Sequence, residues 1–148
     1  MTGKIYMNDQ RITVDTNILI YSVDVDAGDK HKFAMQLMDE LVDKNCVLTL
    51  QALSEFYSAA TRKGKATVEE AQSQITDWQI VFPIIAAKAS TLSMAVKATS
   101  TYKLSFWDAM IWATARQNGV EVLMSEDFQH GQNIEGVYIQ NPFEHEIK

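Results

Sequence analysis

Short apolar runs alternate with longer segments of helical period along this chain. That alternation restricts the fold more than any other feature. Residues 11–15, Arg-Ile-Thr-Val-Asp, form a β-branched run suited to a buried strand. Residues 29–44 place Phe33, Leu37 and Leu41 at four-residue steps, with Ala34, Met38 and Val42 alongside, which is the pattern of an amphipathic helix. A short apolar run at 47–50 precedes a helix over about 51–63, which Gly64 ends. Thr67-Val68-Glu69-Glu70 reads as a capping box opening a helix to about Gln79. A strand at 81–85, a helix near 88–101, a helix from Ser105 to Asn118-Gly119, and strands at 120–124 and 137–140 complete the series. Strands alternating with helices imply an α/β fold with a mainly parallel sheet covered on both faces. The covering helices run against the strands, so their N-termini lie at the rim where strands end.

The chain has 148 residues, 47% of them hydrophobic and 22% charged, enough to bury a core without staples. With two prolines, six glycines and no low-complexity tract, residues 1–148 read as a single domain. Cys46 is the lone cysteine, so no internal disulfide forms, and a reducing cytosol suits it. No targeting segment or membrane-length apolar run is visible, so a soluble, cytoplasmic protein is expected. The net charge of −6 disfavours indiscriminate nucleic-acid binding, though not a local basic strip or acids gathered around metal ions.

The rim geometry singles out four acids. Asp15 ends the first strand, inside a stretch (RITVDTNILIY) that is apolar on both sides. Glu55 lies in the first turns of the helix after the second strand. Asp108 opens the helix before the 120–124 strand, and Asp127 falls just beyond that strand. All belong at the carboxyl edge, where open α/β sheets place ligands. Two unit charges about 4 Å apart repel by roughly 4 kcal/mol at an effective dielectric of 20. Hard divalent cations with oxygen ligands relieve such a cluster. The structural alternative stays open for each residue. Asp15 could cap the turn after its strand, Asp108 could close a capping box with Ser105, Glu55 could be a solvated helix acid, and Ser125-Glu126-Asp127 an ordinary turn.

VDTNILIY at 14–21, Ser54-Glu55-Phe56, SFWDAMIWATA at 105–115 and SEDF at 125–128 resemble, in this order, the motifs of the PIN-domain ribonucleases. Within that family the likeness is to VapC-type toxins of toxin–antitoxin pairs. It runs from about residue 11 to 143, leaving residues 1–10 as an N-terminal extension outside it. The resemblance implies a three-layer α/β/α PIN-like domain. It matches Asp15, Glu55, Asp108 and Asp127 to an acidic quartet that binds Mg²⁺ or Mn²⁺, with Thr16, Asn17 and Ser125 in supporting positions. The family's fourth motif reads Thr or Ser, any residue, then Asp, so Asp127 is preferred to Glu126, and Ser125 replaces the commoner threonine.

The activity implied is metal-dependent endoribonuclease cleavage of RNA phosphodiester bonds by the toxin of a type II toxin–antitoxin module. The cations would activate a water and offset charge on the scissile phosphate. RNA, a cognate antitoxin and a second copy of the chain are the implied partners, with no membrane. Three rivals compete: a PIN nuclease of RNA processing or decay without an antitoxin, a catalytically idle PIN-like binding module, and an Asp-nucleophile phosphatase. The last usually wants a second aspartate two residues on, where this chain has Asn17.

Arg62, Lys63 and Lys65 form a basic strip that could hold an RNA backbone, or could simply offset the dipole at a helix C-terminus. Lys30, Lys103 and Arg116 are weaker phosphate-contact candidates. Trp78, Trp107 and Trp112 occupy helical positions, where core or interface packing is expected in preference to base stacking.

Overall fold

The computed structural model describes residues 9–144, so residues 1–8 of the expected N-terminal extension lie outside the described residues. Strand β1 (Ile12–Val14) passes directly into a short helix, α1 (Thr16–Tyr21). A 3-10 turn at Val25–Ala27 leads to α2 (Asp29–Leu41), β2 (Leu48–Thr49), α3 (Leu50–Arg62) and α4 (Val68–Val81). Then follow β3 (Ile84–Ile85), α5 (Ala89–Thr101), α6 (Phe106–Gln117), β4 (Val122–Met124), β5 (Asn133–Ile134) and β6 (Val137–Gln140). One sheet has the order β1-β4-β6-β5, parallel except for the edge strand β5. The parallel pair β2-β3 adjoins it through a parallel bridge between Ile12 and Cys46. Helices flank this mixed, mostly parallel sheet in a three-layer α/β/α arrangement.

β1 is buried on both faces, as its β-branched sequence suits. Its one polar side chain, Thr13, donates to the Val47 carbonyl at 2.7 Å and so leaves no unpaired group inside. Phe56 of α3 meets Trp78 of α4 edge to face at 4.8 Å. Trp112 of α6, 1% exposed, donates its indole N–H to the Ile134 carbonyl at 3.1 Å. The first contact locks α3 to α4, and the second pins α6 to the sheet.

The helix boundaries follow local chemistry. The Thr67–Glu70 capping box forms with both halves in place. α4 continues to Val81 and the strand expected at 81–85 shrinks to Ile84–Ile85. Pro83 forces Phe82 out of the helical region (φ −116°, ψ 138°), and the chain must turn there before it can pair. α2 ends at Leu41, short of residue 44. Its carbonyls are taken by tighter bonds, from Asp43 N–H to Glu40 and from Lys44 N–H to Leu41. After α3, Gly64 sits at φ 69°. Its N–H donates to Thr61, and that of Lys65 to Ala60, the paired bonds of a Schellman ending.

Candidate active site

Sheet register builds the centre of the site. Val14 pairs with Met124, so the next residues, Asp15 and Ser125, emerge side by side from β1 and β4. Asp15 N–H donates to the Met124 carbonyl and Ser125 N–H to the Gln140 carbonyl, each at 2.9 Å, extending the ladder by one step. The Ser125 hydroxyl donates to Asp15 Oδ2 at 2.7 Å, while Thr16 N–H donates to Oδ1 at 2.7 Å. The same hydroxyl accepts from Asp127 N–H at 3.0 Å. One buried serine therefore fixes both Asp15 and the loop carrying Asp127. Asn17 Nδ2 reaches Asp127 Oδ2 at 3.4 Å from the other side.

The remaining two acids come from helices that start at this rim. Thr49 caps α3 by accepting from Ala52 N–H, and Glu55 projects from its second turn. Thr16 Oγ1 donates to Glu55 Oε1 at 2.8 Å, and Gln51 Nε2 approaches the same oxygen at 3.5 Å. Ser105 Oγ caps α6, accepting from Asp108 N–H at 3.4 Å. Cap and cleft position thus coexist at Asp108. Asp15, Glu55, Asp108 and Asp127 all line one cleft of about 380 Å³, together with Thr16, Asn17, Arg62, Lys63 and Trp107.

Three of the acids are close. One carboxylate oxygen each from Asp15, Asp108 and Asp127 lie within 4.8 Å of one another, and Glu55 stands outside this group, held by Thr16. None of the ion pairs among the described residues reaches the three. Burial pushes the Asp15 carboxyl up to about 7. Hydrogen bonds from Ser125 and Thr16 oppose that rise, and the charges of Asp127 and Asp108 add to it. Half-burial also lifts Asp108 above the ordinary carboxylate range, against its bond to Ser105 and with the Asp127 charge contributing. The cluster is short of positive charge.

Compared with known protein families, residues 12–132 match the PIN domain. The chain belongs to the PIN domain family. No curated protein matches it. Among solved structures, a toxin–antitoxin complex from Klebsiella pneumoniae aligns with a TM-score of 0.63 at 25% identity, over 85% of this chain and 94% of that one. The sarcin–ricin loop cleaving toxin VapC20 from Mycobacterium tuberculosis aligns with a TM-score of 0.60 at 20% identity, over 76% of this chain and 86% of that one. VapBC2 from Rickettsia felis, bound to a DNA fragment from its promoter, aligns at 0.64 and 15% identity, over 88% and 98%. Below 25% identity such matches carry the PIN fold alone.

The donor set of this PIN domain suits a hard divalent ion. All its groups are carboxylate oxygens. Ligands across one such ion lie about 4–5 Å apart, given bonds of about 2.0–2.6 Å. The three oxygens here, all within 4.8 Å of one another, are close enough together to share such an ion. Each Asp15 oxygen accepts one hydrogen bond and keeps a lone pair for a cation.

Other residues depart from expectation. Lys65 does not join the cleft. It pairs with Asp24 at 3.2 Å beside a separate hollow, because the Schellman turn redirects the chain after Arg62 and Lys63. Lys30 is bound to Glu126 at 2.8 Å and Arg116 to Glu135 at 3.3 Å, so both are engaged away from the cleft. Lys103, in a left-handed turn at φ 59°, is not among the cleft-lining residues. Trp107, expected to pack in a core or interface, is 59% exposed in this chain, in the first turn of α6. Gln51 and Ser58 also line the cleft without having been singled out. Their spacing of four before and three after Glu55 puts them on its helix face and could have identified them. Among the described residues no helix is long and apolar enough to cross a membrane.

Proposed function

We propose that this PIN domain is a divalent-cation-dependent endoribonuclease acting as the toxin of a type II toxin–antitoxin pair. The observation that carries the reading is the cluster of buried Asp15, half-buried Asp108 and exposed Asp127, with oxygens within 4.8 Å and, among the described residues, no cationic side chain in an ion pair with it. Asp15, Asp108 and Asp127 would hold Mg²⁺ or Mn²⁺, and Glu55 stands beside them at the position of an outer ligand or water-orienting group. When bound, such an ion supplies charge that offsets the scissile phosphate and eases deprotonation of water.

The chain's own side chains do the rest. Ser125 locks Asp15 and Asp127 relative to each other. Thr16 aims Glu55. Arg62 and Lys63, two turns further along α3 on the cleft wall, bind flanking phosphates of the RNA. The toxin assignment is supported by likeness to the Klebsiella toxin–antitoxin complex at 25% identity. A cognate antitoxin would neutralise the cluster by inserting an Arg or Lys to pair with the three carboxylates. A homodimer and a cytoplasmic location belong to the same reading.

Cleavage of cellular RNA by the purified protein with Mg²⁺ or Mn²⁺, lost on chelation and in Asp15→Asn and Asp108→Asn, is the expected result. Metal-dependent cleavage that persists in both variants would defeat the proposal.

A further inference from the structure

Next to the acidic cleft lies a second, mainly apolar hollow of about 390 Å³, walled by Leu50, Ile85, Ala86, Trp107 and Met110. It shares Gln51, Glu55 and Trp107 with the acidic cleft, so the two adjoin. Trp107 stands at the junction. Leaving an indole 59% exposed forfeits much of the burial that a large apolar side chain ordinarily gains. The residue is nevertheless held in place. Gln51 Nε2 donates to its carbonyl at 3.0 Å, and Phe106 meets its ring edge to face at 4.8 Å.

We infer that Trp107 is the stacking platform for an unpaired base of the RNA, in the nucleotide adjoining the phosphate held at the acidic cluster. This rests on the nuclease reading and adds the substrate's conformation to it. The occupant follows from what the two adjoining hollows offer: Arg62, Lys63 and the carboxylates in one, apolar walls in the other, and the indole shared by both. Single-stranded nucleic acid alternates anionic links with flat apolar faces, and it is the ligand that matches cations, a metal site and an aromatic ring placed side by side. A paired base offers its faces to its neighbours in the stack, so the strand is unpaired where it crosses Trp107.

The test uses the full chain carrying Asp15→Asn, which removes a cluster charge and prevents cleavage of the probe. Binding of a short fluorescent single-stranded RNA of mixed sequence is measured with and without Trp107→Ala or Trp107→Phe. Trp107→Ala should weaken binding about tenfold or more, and Trp107→Phe should restore most of it. Because Trp78 and Trp112 are only 6% and 1% exposed, RNA should quench the intrinsic fluorescence through Trp107. The same RNA in a duplex should bind without dependence on Trp107. Equal binding by the Trp107→Ala protein, or no RNA binding in the parent, overturns the inference. So does unchanged RNA binding with a shift from dimer to monomer in Trp107→Ala, which would make the patch a contact between copies. Cleavage by the wild-type chain in Mn²⁺ is scored separately. Its absence would sink the nuclease reading, while Trp107-dependent binding would still establish the stacking site.

Discussion

Replacing Asp15 with asparagine should change stability in opposite directions at the two ends of the pH scale. Below about pH 4 the carboxyl is protonated in both folded and unfolded chains and contributes nothing through its charge. As pH rises from there towards 7 the unfolded chain releases its proton while the folded chain retains it, so stability falls. Above pH 7 the full cost is present, about 4 kcal/mol from a carboxyl raised from 3.8 to about 7. Asparagine avoids this cost and still accepts from Thr16 N–H at the position of Oδ1. Its amide nitrogen, in place of Oδ2, leaves the buried Ser125 hydroxyl without an acceptor, a loss of about 1–3 kcal/mol. The variant should therefore be about 2 kcal/mol more stable than the parent at pH 8.5 and less stable near pH 4. Urea unfolding in EDTA across that range measures it. Saturating Mn²⁺ should reverse the order at high pH, adding about 2.7 kcal/mol to the parent at one hundred times its dissociation constant and little to the variant. A stability difference independent of pH would refute the account of a charge-starved cluster.

Three further outcomes are expected. Ser125→Ala removes the hydroxyl shared by Asp15 and Asp127, and should cost about 1–3 kcal/mol in urea unfolding while weakening Mn²⁺ binding measured by calorimetry. Trp78→Ala opens a hole against Phe56 and should cost about 3–5 kcal/mol, read as a lower denaturation midpoint with an unchanged denaturant slope. Gly64→Ala meets no neighbour within 4 Å, so only the left-handed backbone resists it. A loss of about 1–2 kcal/mol without loss of RNA cleavage is expected.

The strand-then-helix order and the rim bearing four acids were legible because they rest on period and polarity, which sequence displays directly. α1 was not. Ile18, Leu19 and Ile20 are all buried, so its six residues show no polar face and no helical period. β5 escaped because its hairpin turns on Glu135-Gly136, at φ 51° and 96°, where the usual signal is Asn-Gly or Asp-Gly. Lys65 looked equivalent to Arg62 and Lys63 in the string, but one left-handed glycine separates their directions. The exposure of Trp107 is set by tertiary packing, which periodicity does not carry.

The hydroxyl of Ser125 binds the carboxylate of Asp15, 110 positions away, and β4, which delivers it, lies between β1 and β6. A ribosome making this chain must release more than four-fifths of it before the last carboxylate can meet the first. No shorter growing product contains an intact centre. On the proposed function, the cell thereby gains an interval during translation in which an inhibitor can be on hand before the site can act.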